Sequence, residues 1–252
     1  MNNFTHAQFG LFETEQFHVN FIRLNIESDV SESTVNYLQR NGFNVYEKQY
    51  TDNNKKNFTL TDLNEKNSVY NPFLVYFISD QPLVLQLEVC EQSARHFYNL
   101  IISNNLNWDK LLNPRLSRFD LVYQRDSKVD DRISNIKFLK SSYHEIGGHY
   151  AQSLTNTSTG IIVEVRDGKS KNYRIFADWA ETMLKFEAEI KDHMLCDAQD
   201  LFVTSPFDQE LFETKLVDEF FKLSSEVFEP IAQASNKQHL DWLMPDTKLY
   251  FE

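Results

Sequence analysis

Two histidines and a glutamate near the middle of the sequence are the first candidates for chemistry. His144, Glu145 and His149 offer the kinds of atoms that bind zinc in metalloproteases. Those enzymes carry His-Glu-x-x-His on a helix, which places both histidines on one helical face. Here the order is His-Glu-x-x-x-His, and two adjacent glycines, Gly147 and Gly148, precede the second histidine. The spacing therefore disfavours a zinc protease site.

Two other kinds of reactive site are also disfavoured by the residue types. Cys90 and Cys196 are the only cysteines in 252 residues, too few for a disulfide framework, and they favour a reduced compartment. Cys90 ends an apolar run and is expected to be a small buried residue. No Walker-type or dinucleotide-type glycine loop is present, so nucleotide-driven chemistry is not expected.

The charge distribution decides which partners are plausible. The net charge of −12 disfavours a nucleic-acid binder if the chain is taken as a whole. Residues 110–192, however, carry 14 Lys/Arg against 12 Asp/Glu, while residues 1–109 carry 7 against 13 and residues 193–252 carry 4 against 12. Phosphate binding depends on local cation density. The mildly basic middle is therefore the region that would meet DNA or RNA.

No segment of the sequence points to a membrane. There is no run of about 20 apolar residues, and residues 1–6 have neither a basic segment nor an apolar stretch typical of a secretory signal. The expected location is the cytoplasm or an organelle matrix (plastid or mitochondrion), not the secreted fraction.

Hydrophobic periodicity predicts the elements that must position any site. Alternation predicts strands at 18–26, 71–78, 83–89, 117–124, 160–165, 172–176 and 183–191. Helical spacing predicts helices at 31–41, 92–104 and 208–228, with Ser31 or Ser33 capping the first and Pro230 following the last. Residues 51–66 are expected to be an exposed loop or hairpin end, and residues 140–158 to be irregular.

Strands come first and helices last, which predicts an α+β fold with a twisted, mainly antiparallel sheet flanked by helices. Residues 1–192 are expected to form one domain, and residues 193–252 an acidic helical extension packed on it. Asp167-Gly168 predicts a hairpin turn between the strands at 160–165 and 172–176.

Three segments, in order and at suitable spacing, resemble the replication initiation factors of small plasmids and filamentous phages. Leu-Val-Leu-Gln-Leu-Glu-Val-Cys at 83–90, followed by Ala-Arg-His-Phe at 94–97, resembles the family's strand and Gly-x-x-Cys-Arg-type turn, without the glycine. Ser-Arg-Phe-Asp-Leu at 117–121 is similar to its Thr-Arg-hydrophobic-Asp strand. Residues 168–175 and 184–191 look like its final hairpin and closing Arg-hydrophobic-Glu strand. The resemblance covers residues 83–192.

The resemblance implies rolling-circle chemistry, in which a tyrosine attacks a DNA phosphate and a divalent metal offsets the phosphate charge. It assigns Mg²⁺ or Mn²⁺ to Asp120, Glu187 and Glu189; the two glutamates share one strand face. The implied nucleic-acid contacts are Arg118, Arg174, Lys169, Lys171 and Lys191. The implied DNA partner is single-stranded or an origin hairpin, and a homodimer or a larger complex is the expected assembly.

The sequence departs from this family at the nucleophile. Where the family has Arg-x-Tyr-x-Lys, this chain has Arg174-Ile-Phe176-Ala-Asp178, and phenylalanine has no hydroxyl to attack phosphorus. Tyr173 is the nearest replacement, although odd spacing places it on the opposite strand face from Phe176. Tyr143 and Tyr150 are further candidates.

Three interpretations follow. In the first, the chain is a replication-initiator-like protein that binds a replication origin or a related DNA structure, with or without metal-dependent nicking. In the second, it is a catalytically silent descendant that serves as a binding or structural subunit of a larger, organellar nucleoprotein complex. In the third, it is an unrelated sheet protein. Several of the same residues also have structural explanations. Asp120 and Arg118 would suit an ion pair on a sheet, Glu187 and Glu189 would suit solvent-facing strand positions, and Lys169 and Lys171 would suit a solvated hairpin tip.

Overall fold

The structure, a computed structural model, describes residues 17–26, 30–50, 58–64, 71–81, 84–103, 105–107, 111, 114–126, 151–156, 160–167, 171–178, 183–204 and 207–234. The chain divides into two compact units. The first unit comprises Val19–Phe119 and Leu195–Phe212, and the second comprises Met1–His18, Asp120–Met194 and Glu213–Glu252.

The elements follow one another as six strands with two helices, then four strands, then helices. The strands are β1 Phe17–Ile26, β2 Phe43–Tyr50, β3 Phe58–Asp62, β4 Phe73–Gln81, β5 Val84–Cys90, β6 Arg115–Asp126, β7 Ala151–Asn156, β8 Gly160–Asp167, β9 Lys171–Asp178 and β10 Met183–Lys191. The helices are α1 Glu32–Arg40, α2 Glu91–Ile102, α3 Cys196–Phe202 and α4 Gln209–Ala234, with a 3-10 turn at Asp192–Leu195.

The first unit is built on strands in the order β3-β2-β4-β5-β1. All of these pairings are antiparallel except the parallel pair β2 and β4. The first residues of β6 lie beside β1, where the Ser117 hydroxyl donates to the Arg23 carbonyl at 3.1 Å. The fold is therefore α+β with a mainly antiparallel sheet, as the sequence predicts.

Helices α1 and α2 cover one side of this sheet. The α1 helix contacts β2, and α2 contacts β4 and β5. Phe43 of β2 meets Phe97 of α2 with ring centroids 6.0 Å apart. On β6, Phe119 packs against Tyr98 and Phe212 at 5.9 and 5.6 Å, so an aromatic cluster closes the core on the same side.

The second unit contains the order β10-β9-β8-β7, with every pairing antiparallel. Its core joins Tyr123 of β6 to Phe186 of β10 at 6.1 Å and to Phe220 of α4 at 6.3 Å. Phe17, at the start of β1, packs against Tyr123 with the two rings tilted and their centroids 4.9 Å apart. Helix α4 therefore packs on the face of β6 and β10 that carries Tyr123 and Phe186.

Most predicted elements are confirmed, including the hairpin between β8 and β9, whose last pair is Asp167 and Lys171. The Ser31 cap is confirmed as well, because its side chain accepts from the Thr34 amide at 3.2 Å. Three strands were not predicted: β2 at 43–50, β3 within the supposed loop at 51–66, and β7 within the supposed irregular stretch at 140–158.

The C-terminal helix differs from its prediction in two respects. Helix α4 continues through Pro230 to Ala234, although proline removes one backbone donor. Leu211, an apolar residue that helical spacing would place with the buried residues, is 43% exposed, while Glu213 is 1% exposed. The buried stripe is set by the spacing of Phe212, Leu216 and Phe220, and Glu213 falls inside it.

Among the described residues, no helix is long and apolar enough to cross a membrane.

Candidate nucleic-acid interface

Phe21 of β1 lies between two arginines on the side of the first unit's sheet that faces away from α1 and α2. The Arg118 guanidinium carbon is 4.3 Å from the centre of the Phe21 ring, and that of Arg23 is 5.5 Å away. All three side chains are half-exposed. A guanidinium over an aromatic face is a cation–π contact, which orients the planar group. We call these three residues the arginine–phenylalanine cluster.

The side on which the cluster lies follows from strand alternation. On β6, Phe119 faces the helix-covered core, so its neighbour Arg118 faces the other way. On β1, Ile22 and Leu24 are fully buried, while Phe21 and Arg23 alternate with them. The burial pattern of β1 slips by one residue, because Asn20 and Phe21 are both half-exposed. The β1–β5 register nevertheless runs without interruption from Phe21 to Ile26, so Phe21 lies on the same side of the strand as Arg23.

Arg23 is held in place by Glu88 of the neighbouring strand. The two residues are paired in the β1–β5 register. The Arg23 Nε donates to Glu88 Oε1 at 2.6 Å, and its second nitrogen lies 2.5 Å from the same oxygen. The Arg23 side chain stays 30% exposed, against 11% for Glu88. Part of the Arg23 charge is thus neutralised by Glu88, which fixes its guanidinium beside Phe21.

Burial changes the ionisation of two groups on the same side of the sheet. It raises the pKa of the Cys90 thiol; Lys48 works against this, and Glu88 and Glu91 add to it. Burial also raises the pKa of the Tyr76 hydroxyl, with smaller contributions from Cys90 and Tyr46. Both groups are therefore protonated and neutral near pH 7. Cys90 is half-buried and is not a reactive thiolate.

The three predicted metal ligands are buried in the second unit. Asp120 is 1% exposed, and Glu187 and Glu189 are each 4% exposed. Asp120 alternates with Tyr123 on β6, and the glutamates alternate with Phe186 on β10. All three carboxylates therefore lie on the side of these strands opposite α4. The expectation that the glutamates face solvent is wrong.

The carboxylates already have partners within the protein. Glu189 accepts from the Lys191 ammonium at 3.3 Å, which uses a lysine predicted to contact DNA. Among the described residues, which include Asp120 and both glutamates, no group of three His, Cys, Asp or Glu has the spacing of a metal site. The assignment of Mg²⁺ or Mn²⁺ to these residues therefore rests on the resemblance alone.

Strands β9 and β10 place the remaining predicted residues by their backbone register. Arg174 faces Glu187 on one side and Glu164 of β8 on the other, so this row alternates acidic, basic and acidic. Lys171 lies at the hairpin end, opposite Asp167.

The same register places Phe176, which stands where the resemblance expects a tyrosine, and the nearby Tyr173. Phe176 is paired with Lys185, which lies on the same side of β10 as Glu187 and Glu189. Tyr173 is paired with Ala188, which lies on the opposite side of β10. A nicking tyrosine has to reach the phosphate that the carboxylates would hold, so the register disfavours Tyr173. Lys169, Tyr143, Tyr150 and the His144–His149 segment lie outside the described residues.

The sequence motif at 117–121 points to Arg118 but not to Phe21 and Arg23 beside it. Phe21 and Arg23 occur in a strand with no family motif, and Ser117 lies 94 residues from Arg23 along the chain. The alternation of 18–26 signals a strand with two different sides, and this is the only local signal for the cluster. No protein-family model and no curated protein matches this sequence.

Proposed function

We propose that this chain is a DNA-binding protein of the replication-initiator type. The observation that carries the proposal is the arginine–phenylalanine cluster, in which Arg118 lies half-exposed over Phe21 at 4.3 Å. Arginine donors contact phosphate oxygens, and an aromatic ring beside them supports a base or a sugar. Arg118 belongs to the mildly basic residues 110–192, whereas Phe21 and Arg23 lie within the acidic residues 1–109. The proposal therefore depends on the local cluster of cations and not on the charge of the whole region.

Of the two forms of initiator considered, the catalytically silent one is favoured. The nucleophile position is Phe176, and Tyr173 lies in the opposite alternating set. The three carboxylates are almost completely buried, and Glu189 is already bonded to Lys191. The protein would then act by binding, alone, as a homodimer or as part of a larger complex, on DNA of a cytoplasm or an organelle.

A binding assay with paired variants tests the proposal. The full chain, titrated into labelled single-stranded and double-stranded oligonucleotides, should bind DNA at moderate salt. Arg118→Gln should weaken binding about fivefold, since one phosphate contact is lost. Arg115→Gln is the matched control, because Arg115 is exposed on the same strand but on the other face. Absence of DNA binding by the folded protein would overturn the proposal.

A nicking assay separates the two forms of initiator. Supercoiled DNA with Mg²⁺ or Mn²⁺ should remain intact, and no protein–DNA adduct should survive denaturation. A covalent adduct that disappears in Asp120→Ala would instead establish the metal-dependent nicking enzyme. Mapping that adduct to Tyr173, Tyr143 or Tyr150 would identify the relocated nucleophile.

A further inference from the structure

A second aromatic and cationic group lies on the same side of the first unit's sheet. Tyr46 of β2 and Tyr76 of β4 are paired in the parallel register, with ring centroids 5.9 Å apart. The Lys48 ammonium lies 3.7 Å from the centre of the Tyr76 ring. All three residues are half-exposed. We call them the tyrosine–lysine cluster.

Strand register connects the two clusters in one row. Tyr46 faces Tyr76, Tyr76 faces Glu88, and Glu88 faces Arg23. Paired residues point to the same side of a sheet, and Arg23 belongs to the arginine–phenylalanine cluster. Neighbouring strands are about 4.8 Å apart, so three strand spacings give roughly 14 Å from β2 to β1. Both clusters therefore form one surface on the side of the sheet opposite α1 and α2.

We infer that this surface binds single-stranded DNA, with bases stacked on Phe21, Tyr46 and Tyr76 and phosphates held by Lys48 and Arg118. The inference rests on the proposed function, and it adds the kind of DNA and the surface that binds it. Four-stranded sheets with exposed aromatic residues stack two or three bases in this way, and a surface of roughly 14 Å has room for that number.

The composition of the surface favours a single strand over a duplex. In a duplex the base faces are stacked on one another and cannot lie on aromatic rings, whereas unpaired bases can be splayed onto them. Cations beside the rings attract the backbone. The row itself contains one acid, Glu88, which is neutralised by Arg23. A second acid, Asp62 of β3, is paired with Tyr46 and is exposed. Asp62 would repel phosphates, so the DNA-binding surface is expected to end at β3.

Aromatic substitutions measure the stacking directly. Binding of labelled oligo-dT of 12 nucleotides, followed by fluorescence anisotropy, should weaken about tenfold in Phe21→Leu and in Tyr76→Leu, as expected for one lost base–aromatic stack. Phe73→Leu is the matched control, because Phe73 lies on β4 but packs on His96 at 3.9 Å on the helix side. The control should stay within about twofold of the unsubstituted protein.

Salt dependence measures the phosphate contacts. Two contacts with a single strand predict a slope of about −1.4 for log K against log salt, and Lys48→Gln should reduce it by about 0.7. Lys222→Gln is the control, since Lys222 is exposed on α4 with its ammonium 3.3 Å from Glu219. An unchanged slope in Lys48→Gln would remove Lys48 from the binding surface.

Cys90 provides a test that leaves the surface unsubstituted. It faces Phe21 in the β1–β5 register and is half-exposed. In a Cys196→Ser background Cys90 is the only thiol, and saturating oligo-dT should slow its alkylation by N-ethylmaleimide at least fivefold. An unchanged rate under saturating DNA would overturn the inference, even if a variant of Phe21 or Tyr76 fails to fold.

The outcomes separate this inference from the proposed function. If the protein binds oligo-dT but the surface variants bind equally well, the inference fails and the proposed function stands. If it binds neither single-stranded nor duplex DNA, both fail. Equal or tighter binding to duplex DNA, or to oligo-rU of the same length, overturns the assignment to single-stranded DNA. Tenfold losses confined to the surface variants, with Phe73→Leu unaffected, support it.

Discussion

The two units place their charged residues in opposite situations. In the first unit, Arg23, Lys48 and Arg118 are half-exposed and lie beside aromatic rings. In the second unit, Asp120, Glu187 and Glu189 are between 1% and 4% exposed. Both sets lie on the side of their strands that faces away from the apolar packing described above. The same position on a strand thus carries accessible cations in one unit and buried anions in the other.

This difference separates the charges that stabilise the fold from those that a ligand can reach. A buried carboxylate is stable only when protein groups replace its lost hydration, so its role is first of all structural. A half-exposed arginine over an aromatic ring keeps part of its surface in water, where a phosphate can reach it. The resemblance drew attention to the acids, whereas the structure gives more weight to the cations.

The largest effect should come from removing a buried carboxylate of the second unit. Glu187→Ala should lower the free energy of unfolding by about 3 kcal/mol, because its partners lose their counter-charge in a buried site. Urea denaturation measures this, with Asp218→Ala on the exposed side of α4 as the control. A decrease in the free energy of unfolding below about 0.5 kcal/mol would mean that Glu187 does not stabilise the fold. That result would contradict the contrast between the two units.

A smaller effect is expected for the ion pair of the first unit. Arg23→Gln should cost about 2 kcal/mol, because Glu88 is 8% exposed and loses its partner. A double-mutant cycle with Glu88→Gln should give a coupling of about 1 kcal/mol. A coupling near zero would show that Arg23 is not positioned by Glu88 and is instead as free as an ordinary surface arginine.

A stabilising change is expected where β5 meets α2. Glu91 has a φ of 52°, a left-handed conformation that costs side-chain-bearing residues about 1 kcal/mol or more. Glu91→Gly should therefore raise the free energy of unfolding by about 0.5–1 kcal/mol. Gln92→Gly, one residue into the helix, should lower it by about 1 kcal/mol instead. Neither change touches the sheet surface, so single-stranded DNA binding should stay the same in both.

The smallest effect is a pH dependence that arises in the first unit. Burial raises the pKa of Cys90 above 9.0 and that of Tyr76 above 10.0 in the folded protein. Above those values the unfolded chain loses these protons before the folded chain does, so the folded state binds more protons and stability falls as pH rises. The contribution is fully present below pH 9. Tyr76→Phe should make the fall in the free energy of unfolding at alkaline pH shallower. An unchanged fall in urea titrations between pH 8 and 11 would contradict the raised pKa of Tyr76.

Sequence patterns could predict most of the inner strands because these strands have two different sides. The alternation of 183–191 matches β10 at both ends, and that of 18–26 matches β1 within one residue. Three strands were missed. The inner strand β2 shows no clear alternation in burial, because Phe43, Asn44 and Val45 are all buried. The other two, β3 and β7, end the strand orders of their units. Edge strands bury less and carry more polar residues, so alternation is weak there. Thr59 and Thr61 of β3, for example, are both exposed.

The candidate site was harder to predict because its residues are distant in sequence. Arg118 could be singled out by its motif, but its contact with Phe21 depends on β6 lying beside β1. The role of Asp120 as a buried acid had no local signal either, because one aspartate in an alternating strand is compatible with solvent or core. Alternation specifies a side for each residue and leaves open which side the rest of the chain covers.

The pairing of β1 with β5 also affects how the chain folds. Arg23 and Glu88 are 65 residues apart, whereas β4 and β5 are adjacent in the chain and pair as a hairpin. Local pairs close faster than distant ones because less chain entropy is lost. During synthesis β1 leaves the ribosome first but gains its β5 partner only after residue 90 has emerged. Until then its apolar residues need protection, so conditions that slow elongation before residue 90 should increase the demand for chaperones.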